Sequence, residues 1–573
     1  VSESWDDTYD VVIVGSGAGG MTAALTAADR GLDALIVEKA AVYGGNTALS
    51  GGGVWIPNNP VLEREGIVDD RADVRAYLDA VVGDRVPSDN LDAYIDAGPA
   101  MMRFLEESSP HLRFQWCTGY SDYHPEKPGG RPAGRSVEPV PVDTRLLGPD
   151  EALLRPAALA TPPGLFITQK DFVDLNMIAR TWKAKRAALR TGLRAIKAVV
   201  LRRHMQTLGQ ALIARLRLAV RDAGVPLWLE SPLRSLIVDD HGTVTGVEIT
   251  HGGATLRLRA RHGVVLASGG FEFNEQMRAQ YLPAAARPVF SAGARENTGD
   301  GVVAGQKVGA AVDLMDDAWW MPSFRRPDGG DQVLVAERAI PRSLIVDQHG
   351  RRFTNESSPY VTFTHAQLAG GHTPTWFVFD RTAKNRYPVG GIMPGQKFPE
   401  SWLSSGLIRT ADSIAELAEK IGVPADGLVA TVERFNGFAR AGTDEDFGRG
   451  ASAYDRYYGD PTLPNPVLDT VDRGPFYALR MEIGDLGTKG GLVYDRDARV
   501  LRPDGTAIDG LYATGNTAAA VMGNEYAGPG ATIGPAMTFA WIAVDHIARS
   551  RSAENRTTTN QVAESTLGTV TEE

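Results

Sequence analysis

Tyr9-Asp-Val-Val-Ile-Val-Gly-Ser-Gly-Ala-Gly-Gly20 decides the fold. A short β-branched apolar run leads straight into GxGxxG, and an alanine-rich helical stretch follows from Met21 to about Arg30. A second apolar run, Ala34-Leu-Ile-Val37, then ends in Glu38. Strand, glycines, helix, strand and acid together make the βαβ dinucleotide pattern. In it Gly15 forms the turn, Gly17 admits a pyrophosphate, Ala18 stands at the helix start, and Gly20 lets helix and strand pack closely. Glu38 lies where an acid accepts both ribose hydroxyls and disfavours a 2′-phosphate. FAD and NAD share this pattern, so the next segment has to choose.

That segment is Lys39-Ala-Ala-Val-Tyr-Gly-Gly-Asn-Thr-Ala-Leu-Ser-Gly-Gly-Gly-Val-Trp55, rich in small residues and hydroxyls. It resembles the E-K-x-x-x-x-G-G-x-[ST]-x-x-S-G-G run of the fumarate reductase-like flavoproteins. The resemblance implies non-covalently bound FAD, lined by Lys39, Gly44, Gly45, Asn46, Thr47, Ser50 and Gly51. Two later strand-like segments suit the same fold: Gly263-Val-Val-Leu-Ala-Ser-Gly-Gly270, which contains Gly269, and Gly510-Leu-Tyr-Ala-Thr-Gly-Asn516. The second resembles the last FAD-contacting strand of these proteins, which implies that Gly515 and Asn516 sit near the pyrophosphate and ribityl chain.

The two ends of the chain must therefore meet. The expected fold is α/β: a Rossmann-like FAD-binding domain built from residues 1–289 and 474–550, with an inserted α+β catalytic domain at 290–473. Residues 551–573, rich in Ser, Thr, Asn and Glu, read as a disordered tail. The 573 residues are enough for two or more domains, and 43% hydrophobic residues suffice for a full core. No apolar stretch is long enough to span a membrane. The single cysteine, Cys117, excludes an intramolecular disulfide and a cysteine-ligated metal, and suits a reducing cytoplasm. The acidic start, Val1 to Asp7, has no apolar signal core, which points away from export. The histidines show no HxxxH or HExxH spacing, so no catalytic metal is expected.

The net charge of −11 conceals an asymmetry. From Leu175 to Arg221 there is no acidic residue, and Arg180, Lys183, Lys185, Arg186, Arg190, Arg194, Lys197, Arg202 and Arg203 crowd its first part. Trp182, Leu189, Leu193, Ile196, Val200 and Leu201 recur among them at helical spacing, in a basic helical insertion at about 176–205. Such a helix can lie on an anionic membrane through residues 180–203. The competing readings are an ordinary surface helix and a subunit contact. Nucleic acid is disfavoured, because the remaining acidic chain repels phosphates.

The chemistry is carried by Met522-Gly-Asn-Glu-Tyr-Ala-Gly-Pro-Gly-Ala-Thr-Ile-Gly-Pro-Ala-Met-Thr-Phe539. It sets one phenol, Tyr526, beside a glycine-rich turn that opens a helix at about Ala531. A tyrosine O–H next to free backbone N–H groups makes a two-donor site for a carbonyl oxygen that gains charge. This turn, Asn355-Glu-Ser-Ser-Pro-Tyr360, and the run from Gly474-Pro-Phe-Tyr to Asp485-Leu-Gly-Thr-Lys-Gly-Gly491 resemble the 3-ketosteroid Δ1-dehydrogenases. So does Tyr120-Ser-Asp-Tyr-His-Pro-Glu126, and the similarity runs from Asp10 to about Ala548.

The resemblance implies 1,2-dehydrogenation of a 3-ketosteroid, with electrons passing to an unidentified acceptor. Tyr526 and the Gly530 N–H would hold the C3 oxygen, Tyr360 would take the C2 proton, and Tyr123 would hydrogen-bond Tyr360. Tyr120 is near enough in sequence to stand in for Tyr123. The helix start at Ala531-Thr-Ile533 would face the flavin N1–O2 edge, where its dipole stabilises the reduced anion. A Δ4-(5α)-dehydrogenase would use the same carbonyl logic. A fumarate reductase-like enzyme needs a cationic clamp on two carboxylates, for which Arg295, Arg338 and His365 are the candidates. A non-catalytic flavoprotein docked on a membrane is the alternative of another class.

Overall fold

The computed structural model describes residues 4–157 and 164–568, with side chains to Ser552. In chain order the elements that position the site are β1 (Asp7–Val14), α1 (Ala18–Asp29), β2 (Ala34–Val37), α2 (Trp182–Val200), β3 (Leu227–Trp228), β4 (Ala254–Leu266), β5 (Ala318–Arg325), α3 (Tyr360–Ala369), β6 (Thr375–Asp380), β7 (Phe476–Thr488), β8 (Ala507–Ala513) and α4 (Ile533–Gly568).

The first sheet runs β8-β4-β1-β2-β3, all parallel at its centre. Val11–Val14 lie between Ala34–Val37 on one side and Gly263–Leu266 on the other. These apolar runs do not alternate because both faces of the sheet are covered, and Val11, Val12, Ile13, Leu35 and Ile36 are wholly buried. β8, from the far end of the chain, adds beside β4 through Leu511–Ala513. The sheet is thus built from both chain ends, as expected. α4 packs against α1 and completes this layer.

The second sheet is antiparallel. It contains Asp331–Val333, β5, β7, β6 and Ser343–Val346, with Ile408–Ala411 also paired to β7. β7 does not run with the first sheet, so the boundary expected at 473/474 is displaced: by strand pairing, the chain leaves the second sheet only after Thr488. The reason lies in both edges of β7. One edge pairs Thr375–Asp380, and the other is shared between Ile408–Ala411 and Ala318–Ser323. The expected tail from 551 is also corrected. The backbone of α4 continues to Gly568, and its sequence has no glycine or proline from Ala536 to Leu567 to interrupt it. Residues 569–573 lie outside the described residues.

α2 occupies the middle of the basic insertion. Its body-facing side is made of small residues, Ala184, Ala187, Thr191 and Ala198, which are buried. Trp182, Leu189, Leu193 and Ile196 instead face solvent, at 76, 65, 59 and 62% exposure. The helix is therefore inverted relative to an ordinary surface helix, whose large apolar residues point inward.

Candidate active site

A cavity of about 780 Å³ runs from the end of β1 to the second sheet. One half is lined by bare backbone at Gly15, Gly17, Gly45, Gly51, Gly269 and Gly515, the other by Tyr123, Tyr360, Tyr526 and Gly530. Ala18, Glu38, Lys39, Asn46, Thr47, Ser50, Asn516 and Ile533 line it as well.

The glycine half fits a dinucleotide. A Cβ on Gly17 would meet nothing nearer than Thr47 Oγ1 at 3.7 Å, and one on Gly51 would meet nothing within 4 Å, so both backbones open onto the cavity. The first turn of α1 starts there too, with Gly17 at its N-cap and Ala18 N donating to Thr47 Oγ1 at 3.2 Å. A helix start of this kind favours an anion. Glu38 accepts from Ser16 N and Oγ and from Ala40 N, which fixes the carboxylate at the rim with acceptor capacity to spare. Lys39 pairs with Asp300 at 2.8 Å.

Three expected cofactor residues are not brought to the cavity. A Cβ on Gly20 would lie 1.9 Å from Gly15 O, so this glycine lets α1 pack on its own turn. Gly44 packs against Ala48 and Ile213. Ala531 is fully buried one step behind the wall, in a separate small void.

The turn that carries Tyr526 is clamped carbonyl by carbonyl. Lys489 Nζ donates to Glu525 O at 3.2 Å, and Tyr123 N donates to Ala527 O at 3.0 Å. Ser136 Oγ donates to Pro529 O at 2.6 Å, and Trp55 N donates to Gly530 O at 3.2 Å. Gly530 sits at φ +97 with Gly53 so close that a Cβ would come within 2.3 Å of it, so only glycine serves there. Asp317 anchors the clamp by accepting from Lys489, His365, Asn524 and Trp320. Although buried, its carboxyl is held at about 2 by the charges of Lys489 and His365.

The phenols converge. Tyr123 O–H donates to Tyr360 Oη at 3.0 Å, and the Tyr526 ring lies edge-on to both, with centroids at 5.0 and 5.6 Å. Burial pushes Tyr360 well above the ordinary phenol range, as does neighbouring Tyr526, and the Tyr123 hydrogen bond opposes it. Burial also raises Tyr526, against hydrogen bonds from Thr532, Tyr360 and the Gly530 backbone. Gly530 and Tyr526 both line this end of the cavity. Tyr120 is close to the group but occupied elsewhere: it stacks on Tyr457 at 4.4 Å and accepts from Tyr458 Oη at 2.8 Å. Tyr123 is thus the phenol that reaches Tyr360.

Sequence reasoning missed several neighbours. Trp319 packs on Tyr526 at 4.8 Å and donates to Asn516 Oδ1 at 3.1 Å, which links the two halves of the cavity. Asn46 donates to Glu272 Oε1 at 2.7 Å, as does Asn297 at 2.8 Å. Burial and neighbouring Asp485 push Glu272 up to about 7. Tyr454 packs against Tyr123 at 4.8 Å. None of these belongs to a contiguous motif, and only the family resemblance of nearby segments could have pointed to them. Arg295, Arg338 and His365 do not line the cavity, so no clamp for two carboxylates is assembled. Among the described residues no group of three or more His, Cys, Asp or Glu could hold a metal ion.

A parallel sheet with a glycine-lined dinucleotide cradle, opening on three buried phenols, defines a flavoprotein oxidoreductase. The family model for the FAD binding domain matches residues 10–533. Within that class the chain belongs to the 3-oxosteroid 1-dehydrogenase family, whose members are FAD-dependent oxidoreductases. It is 50% identical over 563 residues to the 3-oxosteroid 1-dehydrogenase of Mycolicibacterium smegmatis, covering 96% of this chain and 98% of that one. The crystal structure of the 3-ketosteroid Δ1-dehydrogenase from Sterolibacterium denitrificans, in complex with 1,4-androstadiene-3,17-dione, is 41% identical. It matches with a TM-score of 0.90 over 95% of this chain and 100% of that chain. The 3-ketosteroid Δ4-(5α)-dehydrogenase of Rhodococcus jostii, at 20% identity and a TM-score of 0.68 over 96% of this chain and 98% of that one, shares the fold alone.

The cradle makes a separable prediction. Gly17→Val should fold and yet emerge colourless, because its side chain enters the space left for the pyrophosphate. From the parent protein, acid precipitation should release all flavin into the supernatant, as expected of non-covalent binding. Yellow Gly17→Val protein, or flavin left in the pellet, would contradict the respective assignment.

Proposed function

We propose that the four groups at the head of the cavity divide the 1,2-dehydrogenation of a 3-ketosteroid among them. The C2 hydrogen is acidic because the C3 carbonyl can accept charge as an enolate. Tyr526 O–H and Gly530 N–H hold that oxygen, and a donor of this kind contributes about 3–4 kcal/mol. Tyr360, as phenolate, takes the C2 proton: the C2–H bond breaks, its electron pair moves toward C3, and the proton ends on Tyr360 Oη. Tyr123, at 3.0 Å, donates to the phenolate and shares its charge. Bound FAD supplies the two-electron acceptor for the C1 hydride. The observation that carries this reading is the convergence of three buried phenols and Gly530 on a single cavity. Anaerobic mixing with androst-4-ene-3,17-dione should bleach the flavin and yield the 1,4-diene. No bleaching, or a product unsaturated elsewhere, would reject the proposal.

The same reading gives the exposed face of α2 a role. We infer that it docks on an anionic lipid surface. Arg180, Lys183, Arg190 and Arg194 are tied to Asp460, Asp174 and Asp171 and hold the helix to the body. Among the described residues no acid lies within ion-pair distance of Lys185, Arg186, Lys197, Arg202 or Arg203, which flank the apolar face. Among the described residues no helix is long and apolar enough to cross a membrane, so the contact proposed is a peripheral one. The neighbouring Gln169–Asn176 helix packs against α2 and contributes Phe172 and Asn176 to the cavity wall, so a lipid-borne steroid would meet the cavity close by. Each free charge near an anionic surface contributes about 1 kcal/mol. The protein should therefore co-sediment with anionic vesicles at low salt and be released at high salt. Charge reversal at Lys185, Arg186 and Lys197 should weaken the contact while turnover of dissolved steroid persists. Absence of co-sedimentation at low salt would leave α2 as a subunit contact.

A further inference from the structure

Arg338 is a buried cation without an acid. It lies in the turn Glu337–Ala339, 1% exposed, and its guanidinium donates only to neutral carbonyls: Leu334 O at 3.1 Å, Glu356 O at 2.7 Å and Ser358 O at 2.8 Å. Among the described residues no carboxylate comes within ion-pair distance of it. The nearby Glu356 carboxylate is taken by Arg352 and Arg449. Arg449 itself points to carbonyls, including Arg338 O at 3.3 Å and Ile340 O at 2.8 Å. Glu337, next in the chain, accepts from Gly390 N at 3.1 Å, and burial pushes its carboxyl above the ordinary range.

A buried, unpaired charge costs several kcal/mol, so a fold that keeps one gains by it elsewhere. Its surroundings suggest where. Ser358 is two residues before Tyr360, and the guanidinium carbon lies 5.5 Å from the ring of Phe363, one turn further along α3. Tyr454, Tyr123 and Tyr360 form a continuous run of rings, with centroids 4.8 and 5.5 Å apart.

We propose that Arg338 is a positioning residue that makes Tyr360 a usable base: its unpaired charge, fixed behind the phenols, offsets the negative charge that the Tyr360–Tyr123 pair carries before the C2 proton arrives. The electrostatics agree with the geometry. Burial pushes the Tyr454 hydroxyl up and the guanidinium opposes it. Reciprocally, burial pushes Arg338 down, and Tyr454, Tyr360 and Tyr123 oppose that, with Glu337. Tyr526 faces the same pair from the other side, where it raises Tyr360.

The inference rests on Tyr360 being the base, and the experiment separates the two. The rate of anaerobic flavin reduction by androst-4-ene-3,17-dione is measured against pH for the parent, Arg338→Gln and Arg338→Lys. A nearby opposite charge favours the charged form of a titratable group and so lowers the pKa of a phenol. The ascending limb should move up by about one unit or more in Arg338→Gln, so that reduction on the limb is at least about tenfold slower. Arg338→Lys should return it to within a few tenths of a unit of the parent. If Arg338→Gln does not fold, Arg338→citrulline keeps the planar donors without the charge and takes the same measurement. A neutral variant that binds flavin and steroid and keeps its limb in place overturns the proposal, as does a lysine variant with its limb as high as glutamine's. A purely structural clamp would change stability and leave the limb where it was. Failure of the base assignment shows differently, as flavin reduction that survives Tyr360→Phe.

Discussion

Tyr526→Phe should remain yellow, bind steroid, and reduce its flavin at least about one hundred times more slowly than the parent. The substitution removes one O–H and keeps the ring, so the contacts with Trp319 at 4.8 Å and Tyr123 at 5.0 Å persist. In the proposed mechanism, what disappears is one of two donors to the C3 oxygen. Loss of such a donor costs about 2.7–4 kcal/mol, or two to three powers of ten. The Gly530 N–H remains, held by the backbone clamp, so turnover should fall without vanishing. Stopped-flow reduction checks this, and a rate within a few-fold of the parent would remove Tyr526 from the chemistry.

Tyr360→Phe should be the more severe change. It removes the proposed acceptor of the C2 proton and leaves Tyr123, whose hydroxyl is 3.0 Å from that of Tyr360, as the alternative. Steroid should bind about as before, flavin reduction should become very slow, and exchange of the C2 hydrogen with deuterated water, where the parent shows it, should stop. In the parent the rate should rise with pH, because burial and Tyr526 hold the phenol protonated and only the phenolate can act. Tyr123→Phe removes the opposing hydrogen bond, so its limb should lie higher still. Normal exchange in Tyr360→Phe would transfer the role to Tyr123.

The dinucleotide half was legible in the sequence because its requirements are local. A turn, a close backbone approach and a helix start must follow one another within a few residues, so they leave a contiguous pattern. Legibility failed where a motif was taken as a contact list. Gly44 and Ala531 lie inside the right segments, yet their small size serves packing, the role that the pattern gives to Gly20. It failed also at β7, which reads with 474–550 as part of the FAD-binding domain although it is the longest strand of the second sheet. The phenol cluster was legible only through resemblance, since positions 123, 360 and 526 share no spacing. Arg338 was legible only as a candidate carboxylate clamp and Tyr454 not at all: what distinguishes them is a missing acid and a neighbouring ring, and both are properties of the folded chain.

The pairing of β8 with β4 has a consequence for biosynthesis. β1, β2 and β4 are complete once residue 266 has left the ribosome, but the edge of β4 at Val264–Leu266 finds its partner only when Leu511–Ala513 follow. At synthesis rates of about 5–20 residues per second, that edge waits on the order of ten to fifty seconds. An unpaired, wholly apolar parallel edge is a template for pairing with another chain. The nascent protein therefore passes through a long interval in which the apolar end of β4 is open. Its yield in a cell should depend on chaperone capacity more than the stability of the finished fold suggests.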